Sequence, residues 1–143
     1  MNNDLHNNIQ QKLAIIPATI GANATKTGAI IDRQGYGGVE FLVSYGSVTT
    51  TGTIVTAVVK EGDVTGTLTS VADADLLGTE ALASLAAGAR VAGTGKEVTK
   101  RVGYKGTKRY VQLSLVQTGV TSAGAVSVSA VLFNPALAPV ANP

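Results

Sequence analysis

The chain has 143 residues, a length that suits a single domain with a core of its own. Cysteine is absent, which excludes disulfide scaffolds, thiolate nucleophiles and thiolate metal sites. Charged residues make up 14% of the chain, against about 25% in ordinary soluble domains, and the formal net charge is +2. A weakly charged chain rich in small Thr, Ser and Ala side chains favours a protein packed against neighbouring subunits, because burying such side chains costs little conformational entropy.

Residues 1–27 are predicted to form an extended N-terminal arm. They contain five asparagines and no aromatic residue, and Pro17 interrupts the apolar patch at 13–16. A short helix over 4–13 would place Leu5, Ile9 and Leu13 on one side. The polar start predicts no secretory signal, and the uncharged stretch 110–143 is too often broken by glycine and proline to predict a membrane span.

From residue 28 onward, apolar and polar residues alternate as in half-buried strands, with glycine-rich turns between them. The core face of the clearest strand carries Val39, Phe41, Val43 and Tyr45. Residues 34–38 are predicted as a turn, residues 61–63 as the end of the third strand, and residues 119–124 as a hairpin connection. The predicted strands cover residues 29–32, 39–45, 53–60, 67–71, 97–102, 110–117 and 125–133.

One helix is predicted, over residues 76–88. Thr79 can cap its start, Glu80 suits the positive end of the helix dipole, and Gly88 can close it. Leu82, Leu85 and Ala86 would then face the core.

The last ten residues hold three of the four prolines and are predicted as a second extended arm. The elements together predict an all-β fold, an antiparallel β-sandwich or jelly roll with one short helix and extended N- and C-terminal arms. The predicted domain covers 28–133, between an N-terminal arm at 1–27 and a C-terminal arm at 134–143.

No catalytic template fits the sequence, and the chain is not expected to be an enzyme or to need a cofactor or a metal. His6, the sole histidine, lies in the predicted arm without a partner to orient it. Residues 93–96 resemble a phosphate-binding loop, but Arg90 and Glu97 stand where Gly and Ser or Thr are required, which predicts an ordinary turn. Asp73 and Asp75 could share a calcium ion, although solvated loop carboxylates are the favoured interpretation.

Positive charge is concentrated in one segment. Residues 1–95 carry five basic and eight acidic residues, residues 96–109 carry six basic and one acidic residue, and residues 110–143 carry none. Three interpretations stay open: a solvated surface, a nucleic-acid contact, or a docking surface for an acidic protein partner. The mild overall charge disfavours nucleic acid. The candidate contact residues are Lys96, Lys100, Arg101, Lys105, Lys108 and Arg109.

Tyr104, Gly106 and Tyr110 lie within this segment and suggest either a contact motif or a fold motif. Residues 104–106 resemble a hairpin before the strand that Tyr110 opens, and Gly106 is expected to need a positive φ. In that case the motif would specify the fold and would not itself be a contact.

The segments VGYKGTKRYVQLSLV at 102–116, VADADLLG at 71–78 and VLFNPALAPV at 131–140 are similar in layout to small proteins of tailed bacteriophages. The sharpest shared motifs are Tyr104-x-Gly106-x-Lys108-Arg109-Tyr110 and Leu76-Leu77-Gly78. Over most of 28–140 the chain resembles capsid cement or decoration proteins of the jelly-roll type, such as those of short-tailed phages that infect Bordetella.

This resemblance implies a β-sandwich on the outer surface of the virion capsid, made in the host cytoplasm, that bridges neighbouring major capsid protein subunits. It implies a homo-oligomer, expected to be a dimer, with no membrane partner and no direct nucleic-acid contact. Two alternatives stay open: a virion-surface module that binds glycans or a receptor, and a tail-tube or head–tail joining protein.

Overall fold

The computed structural model describes residues 4–48, 50–90 and 96–141, and their strands form two antiparallel sheets. Sheet 1 has the spatial order β1-β10-β4-β8-β7. Its strands are β1 (Ile9–Ile20), β10 (Gly124–Pro135), β4 (Tyr36–Tyr45), β8 (Val98–Tyr104) and β7 (Leu76–Leu77).

Sheet 2 has the order β2-β9-β5-β6, and β3 pairs with the same edge of β9 as a second short neighbour. Its strands are β2 (Thr25–Thr27), β3 (Ile31–Asp32), β9 (Tyr110–Thr118), β5 (Ile54–Val64) and β6 (Thr67–Ser70). The helix α1 (Glu80–Ala83) and two 3₁₀ turns (His6–Asn8 and Asp73–Asp75) complete the described elements.

The strand order is that of a jelly roll. Along the chain the described strands pass from sheet 1 to sheet 2 and back, and only the steps from β2 to β3, β5 to β6 and β7 to β8 stay within one sheet. If β2 and β3 are taken as one position and β7 as an added edge, eight strands remain in two four-stranded sheets, the jelly-roll architecture. The predicted all-β sandwich is therefore confirmed.

The core lies between the two sheets. The face of β4 predicted from the alternating pattern is buried, with Val39, Phe41 and Val43 fully covered. From sheet 2, Val55, Leu113 and Leu115 meet them. No helix in the described ranges is long and apolar enough to cross a membrane.

The predicted N-terminal arm and its helix are wrong where the structure describes them. Residues from Ile9 to Ile20 form the edge strand of sheet 1, paired with β10, and β2 pairs with β9. The register of β1 shifts between Leu13 and Ile15 and again between Ile15 and Ala18, around Pro17. These irregularities break the period-two pattern, which is why the sequence of the segment does not indicate a strand.

The two predicted hairpins are also wrong. Residues 119–124 join β9 of sheet 2 to β10 of sheet 1, and residues 105–109 join β8 of sheet 1 to β9 of sheet 2. Both segments cross between the sheets, so the strands that they connect do not pair with each other. The third predicted strand continues through Gly62 to Val64, and the predicted turn at 34–38 ends where β4 begins at Tyr36.

The predicted helix over 76–88 is reduced to the single turn α1. Thr79 caps it as expected, since its Oγ1 accepts a hydrogen bond from Leu82 N at 3.2 Å. Leu76 and Leu77 instead form strand β7, and Gly78 follows with φ +82°. Leu85 is buried as predicted, whereas Leu82 is 65% exposed and Ala86 is exposed as well.

The C-terminal segment is tied to the sandwich more closely than an extended arm requires. Strand β10 continues to Pro135, two residues into the predicted arm. Beyond it, Ala136 N donates to Gly35 O and Val140 N donates to Asn7 O, both at 2.8 Å. Leu137 between these two anchors is 87% exposed.

Candidate interaction surface

The six basic residues predicted as contacts occupy different parts of the fold. Lys100 and Arg101 lie on β8, Lys105 and Lys108 lie in the connection to β9, and Lys96 precedes β8. The register of β8 further separates two of them, because Lys100 is paired with the buried Val43 and Arg101 with the exposed Leu42, on opposite faces of sheet 1.

Two of the six cations are neutralised within the molecule. Lys108 Nζ lies 2.7 Å from Asp63 Oδ2, and Arg109 holds Asp32 by two hydrogen bonds, of 2.6 and 3.0 Å. The Arg109 hydrogen bond lowers the pKa of Asp32, and the Lys108 hydrogen bond lowers that of Asp63. The guanidinium of Arg109 also lies 5.0 Å from the centre of the Tyr110 ring.

The other four basic residues are held loosely or not at all. Lys100 Nζ donates to Ser84 O at 2.7 Å. The side chain of Arg101 is 79% exposed, and its Nε lies 3.9 Å from Glu40 Oε1, the long limit of an ion pair. Within the described ranges, Lys96 and Lys105 have no side-chain hydrogen bond or ion pair.

The motif from Tyr104 to Tyr110 has a clear structural role. Tyr104 is fully buried, its hydroxyl donates to Glu61, and it accepts from Lys108 N at 3.0 Å. Burial and the hydrogen bond to Glu61 both raise the pKa of Tyr104. Arg33 lies 5.4 Å from the same ring and donates to the carbonyls of Gly106 and Lys108, at 2.6 and 2.5 Å. These contacts fasten the connection between the sheets.

Gly106 is required for a different reason from the one predicted, since its φ is not positive. A Cβ at this position would lie 2.6 Å from Tyr104 Cζ and closer still to the hydroxyl, so only glycine fits against the ring. The contacts of Tyr104 and Gly106 support the interpretation that the motif specifies the fold.

The motif Leu76-Leu77-Gly78 and the basic residues of β8 meet at one groove. Its volume is about 640 Å³, and it lies where the outer face of sheet 1 meets the start of α1. The inner residue Leu76 belongs to the core. The groove is lined by Glu40, Leu77, Gly78, Leu82, Thr99, Lys100 and Arg101.

Glu40 is the acidic residue of this groove. Partial burial raises the pKa of its carboxyl, which the nearby Arg101 only partly offsets. A Cβ on Gly103 would collide with the carboxylate and lie 2.9 Å from Leu77 Cβ, so the glycine makes room for both. Sequence analysis did not single out Glu40, because its surroundings come from β7 and β8.

The remaining sequence candidates show no catalytic or metal arrangement in the part of the chain described. His6 is exposed in a 3₁₀ turn. Asp73 and Asp75 lie in another turn, and no third His, Asp or Glu among the described residues joins them in a group that could hold a metal. Residues 93–95 of the phosphate-loop resemblance lie outside the described residues, and the turn predicted there stays a prediction.

No protein-family model matches the sequence, and no curated protein sequence is similar to it. Among solved structures, the fold is similar to a chain from the structure of infectious bursal disease virus, Gx strain, with a TM-score of 0.52 and 12% identity. The match covers 89% of this chain, which spans about a third (32%) of the viral chain. At this identity the likeness establishes a shared fold. The resemblance to bacteriophage cement proteins stays a prediction.

Proposed function

We propose that this chain is a structural protein of a virus particle that binds the outer surface of a bacteriophage capsid and bridges neighbouring major capsid subunits. The observation that carries the proposal is the jelly-roll order of its sheets, shared over most of the chain with a chain from a virus structure. Jelly rolls recur in viral capsid domains. In this proposal the protein is a homo-oligomer, expected to be a dimer, and has no catalytic role.

A bridging role suits a small protein with modest contacts. A standard interface buries about 1,600 Å² in total, and a subunit that touches two neighbours makes its second contact at a high effective concentration. Many such contacts repeated over a shell would oppose the outward pressure of packaged nucleic acid. The low charge of the chain limits the desolvation cost of each contact.

The test adds the purified protein to expanded empty shells of the virus that encodes it. We expect binding at regular positions on the outside, visible by electron microscopy, and a higher temperature of shell disruption. Rings at a single vertex of the shell would indicate a joining protein instead. An unchanged disruption temperature, with all the protein left in solution at saturating concentration, would contradict the proposal.

A second candidate function is supported by a feature at one end of the sandwich. Tyr36 is half-buried between two depressions, of about 420 and 280 Å³, which also contain Asn134 on one side and Gln34 and Thr107 on the other. An aromatic ring beside amide and hydroxyl groups suits a neutral sugar, and lectin domains also use jelly rolls.

The glycan alternative is tested on a glycan array with the wild-type protein and a Tyr36→Ala variant. Binding that the variant loses would support it. If the protein binds shells but no glycan on the array, the glycan alternative is rejected and the capsid role is retained.

A further inference from the structure

Two stretches that are separate in the sequence form the groove on sheet 1. Leu77 and Gly78 come from β7 and the turn after it, and Lys100 and Arg101 come from β8, which pairs with β7 through Gly103 and Tyr104. The pairing thus brings the leucine motif and half of the loosely held cations together. In the described ranges, Lys96 and Lys105 stay outside this groove.

The groove has an apolar wall that the fold does not cover. Leu77 is 39% exposed and Leu82 is 65% exposed. Their neighbours in the chain, Leu76 and Ala83, are buried in the core. Gly78 keeps the mouth of the groove open, because its φ of +82° disfavours any side chain there. The paired strand and the capped helical turn already fix the backbone of both leucines, so that covering each side chain costs only about 0.5–1 kcal/mol of rotamer entropy.

The charges of the groove favour an anionic partner. Lys100 uses one of its three donors on Ser84 O, and Arg101 holds Glu40 only at 3.9 Å with most of its side chain in solvent. The groove is therefore lined by two cations and one carboxylate, and both cations keep free donors. Arg101 shares the outer face of sheet 1 with Glu40, whereas Lys100 is paired with the buried Val43 on the opposite face. By contrast, Lys108 and Arg109 already have carboxylate partners and offer less to another molecule.

We propose that this groove is the docking site for an acidic and apolar segment of the capsid subunit, with an apolar side chain between Leu77 and Leu82 and a carboxylate on Arg101. This assignment rests on the proposed function. The volume of about 640 Å³ is that of a groove for a few side chains. Charge complementarity fixes the orientation and the rate of association, and the leucine contacts supply most of the affinity.

The first test measures binding of four variants to empty shells. We expect Arg101→Glu and Leu82→Ser each to weaken binding by about tenfold or more, as central interface residues do. Lys60→Glu, at an exposed lysine of β5, and Val64→Ser are matched controls. The first control reverses a positive charge outside the groove, as Arg101→Glu does inside it. The second replaces an exposed apolar side chain by serine outside the groove, at a valine that is 63% exposed. The controls should bind like the wild type.

The second test does not need a shell. The peptide acetyl-Leu-Glu-Leu-Glu-amide is titrated into ¹⁵N-labelled protein, with acetyl-Leu-Lys-Leu-Lys-amide as its control. Shifts of the amide signals of Gly78, Leu82 and Arg101 with the acidic peptide alone are expected, while Gly66 stays unchanged.

The outcomes separate the groove from the proposed function. If the wild type binds shells and all four variants bind equally, the groove assignment is overturned and the capsid role stands. If the wild type does not bind shells, the capsid role is contradicted. The peptide titration then shows by itself whether the groove prefers an acidic segment to a basic one. If Leu82→Ser dissociates a wild-type oligomer in sedimentation experiments, a second copy occupies the groove and the assignment is overturned.

Discussion

Tyr104 belongs both to the core and to a polar network. Its ring is fully buried, and its hydroxyl meets a carboxylate on β5 and a backbone N–H in the connection to β9. A buried hydroxyl without partners would be costly, and here both the donor and the acceptor function are used. The residue therefore fixes the point at which the chain leaves sheet 1 for sheet 2.

Replacing Gly106 by alanine should destabilise the protein by about 1–3 kcal/mol, because the added methyl group would press on the Tyr104 ring and strain a packed site. Urea unfolding measures the loss. Gly66→Ala is the control, since a Cβ at that turn position meets nothing within 4 Å. Equal stability of the two variants would contradict the packing role assigned to Gly106.

At this scale, sequence analysis named the residues of the basic segment but could not identify the groups that they contact. The ion pair between Arg109 and Asp32 joins residues 77 positions apart, and the bond between Tyr104 and Glu61 spans 43. Such pairs exist only after the strands have taken their register. The basic segment therefore looked like a free cluster, although the carboxylates that neutralise Lys108 and Arg109 lie on β5 and β3.

At the scale of elements, α1 protects an exposed strand edge. Strand β6 covers only the far end of β5, and beyond it Val59 N donates to Glu80 Oε1 at 2.5 Å and Ala57 N donates to Ser84 Oγ at 2.8 Å. Val55 forms a β-bridge with Leu85. The short segment after β7 thus occupies backbone donors that could otherwise pair with another chain.

Glu80→Ala should remove this protection at Val59. We expect a loss of about 1–3 kcal/mol of unfolding free energy, because a partly buried N–H loses a charged acceptor. Amide hydrogen exchange should speed up more at Val59 than at Leu113 in the core strand β9, whose exchange follows only the loss of global stability. Unaltered protection of Val59 would show that water or another group serves the N–H equally well.

Elements with regular alternation were predicted well, and irregular ones were not. Strands β4 and β10 carry an unbroken period of two over their central residues, and the core face predicted for β4 matches the structure. Strand β1 is interrupted by two register shifts, and its pairing partner lies more than a hundred residues away, as in the contact of Gln11 with Ser129. The groove was beyond prediction for the same reason, since β7 and β8 define it only when paired.

At the scale of the whole molecule, the ion pairs make stability depend on pH. The pKa values of Asp32 and Asp63 are lowered in the fold, so their stabilisation is present above the unfolded value of about 3.9 and is lost as pH falls through the folded values. The raised pKa of Glu40 acts in the opposite direction and at higher pH, since its neutral form suits partial burial.

We therefore expect the melting temperature to change little between neutral pH and about pH 5 and to fall below about pH 4. Asp32→Asn should lower the melting temperature at pH 7 and flatten the fall at acid pH. Asp73→Asn, at an exposed turn without an ion pair in the part of the chain described, should leave the profile unchanged. An Asp32→Asn profile parallel to that of the wild type would contradict the contribution of this pair.

The position of β10 determines when sheet 1 can be completed during translation. This strand lies between β1 and β4 in sheet 1, yet it is the last of the described strands to be synthesised. While β10 is still inside the ribosome, β1 and β4 have no shared neighbour, and β1 cannot join the rest of sheet 1. Sheet 1 is thus completed only after translation of nearly all of this sequence, and a nascent chain stalled before residue 124 presents two open strand edges to chaperones.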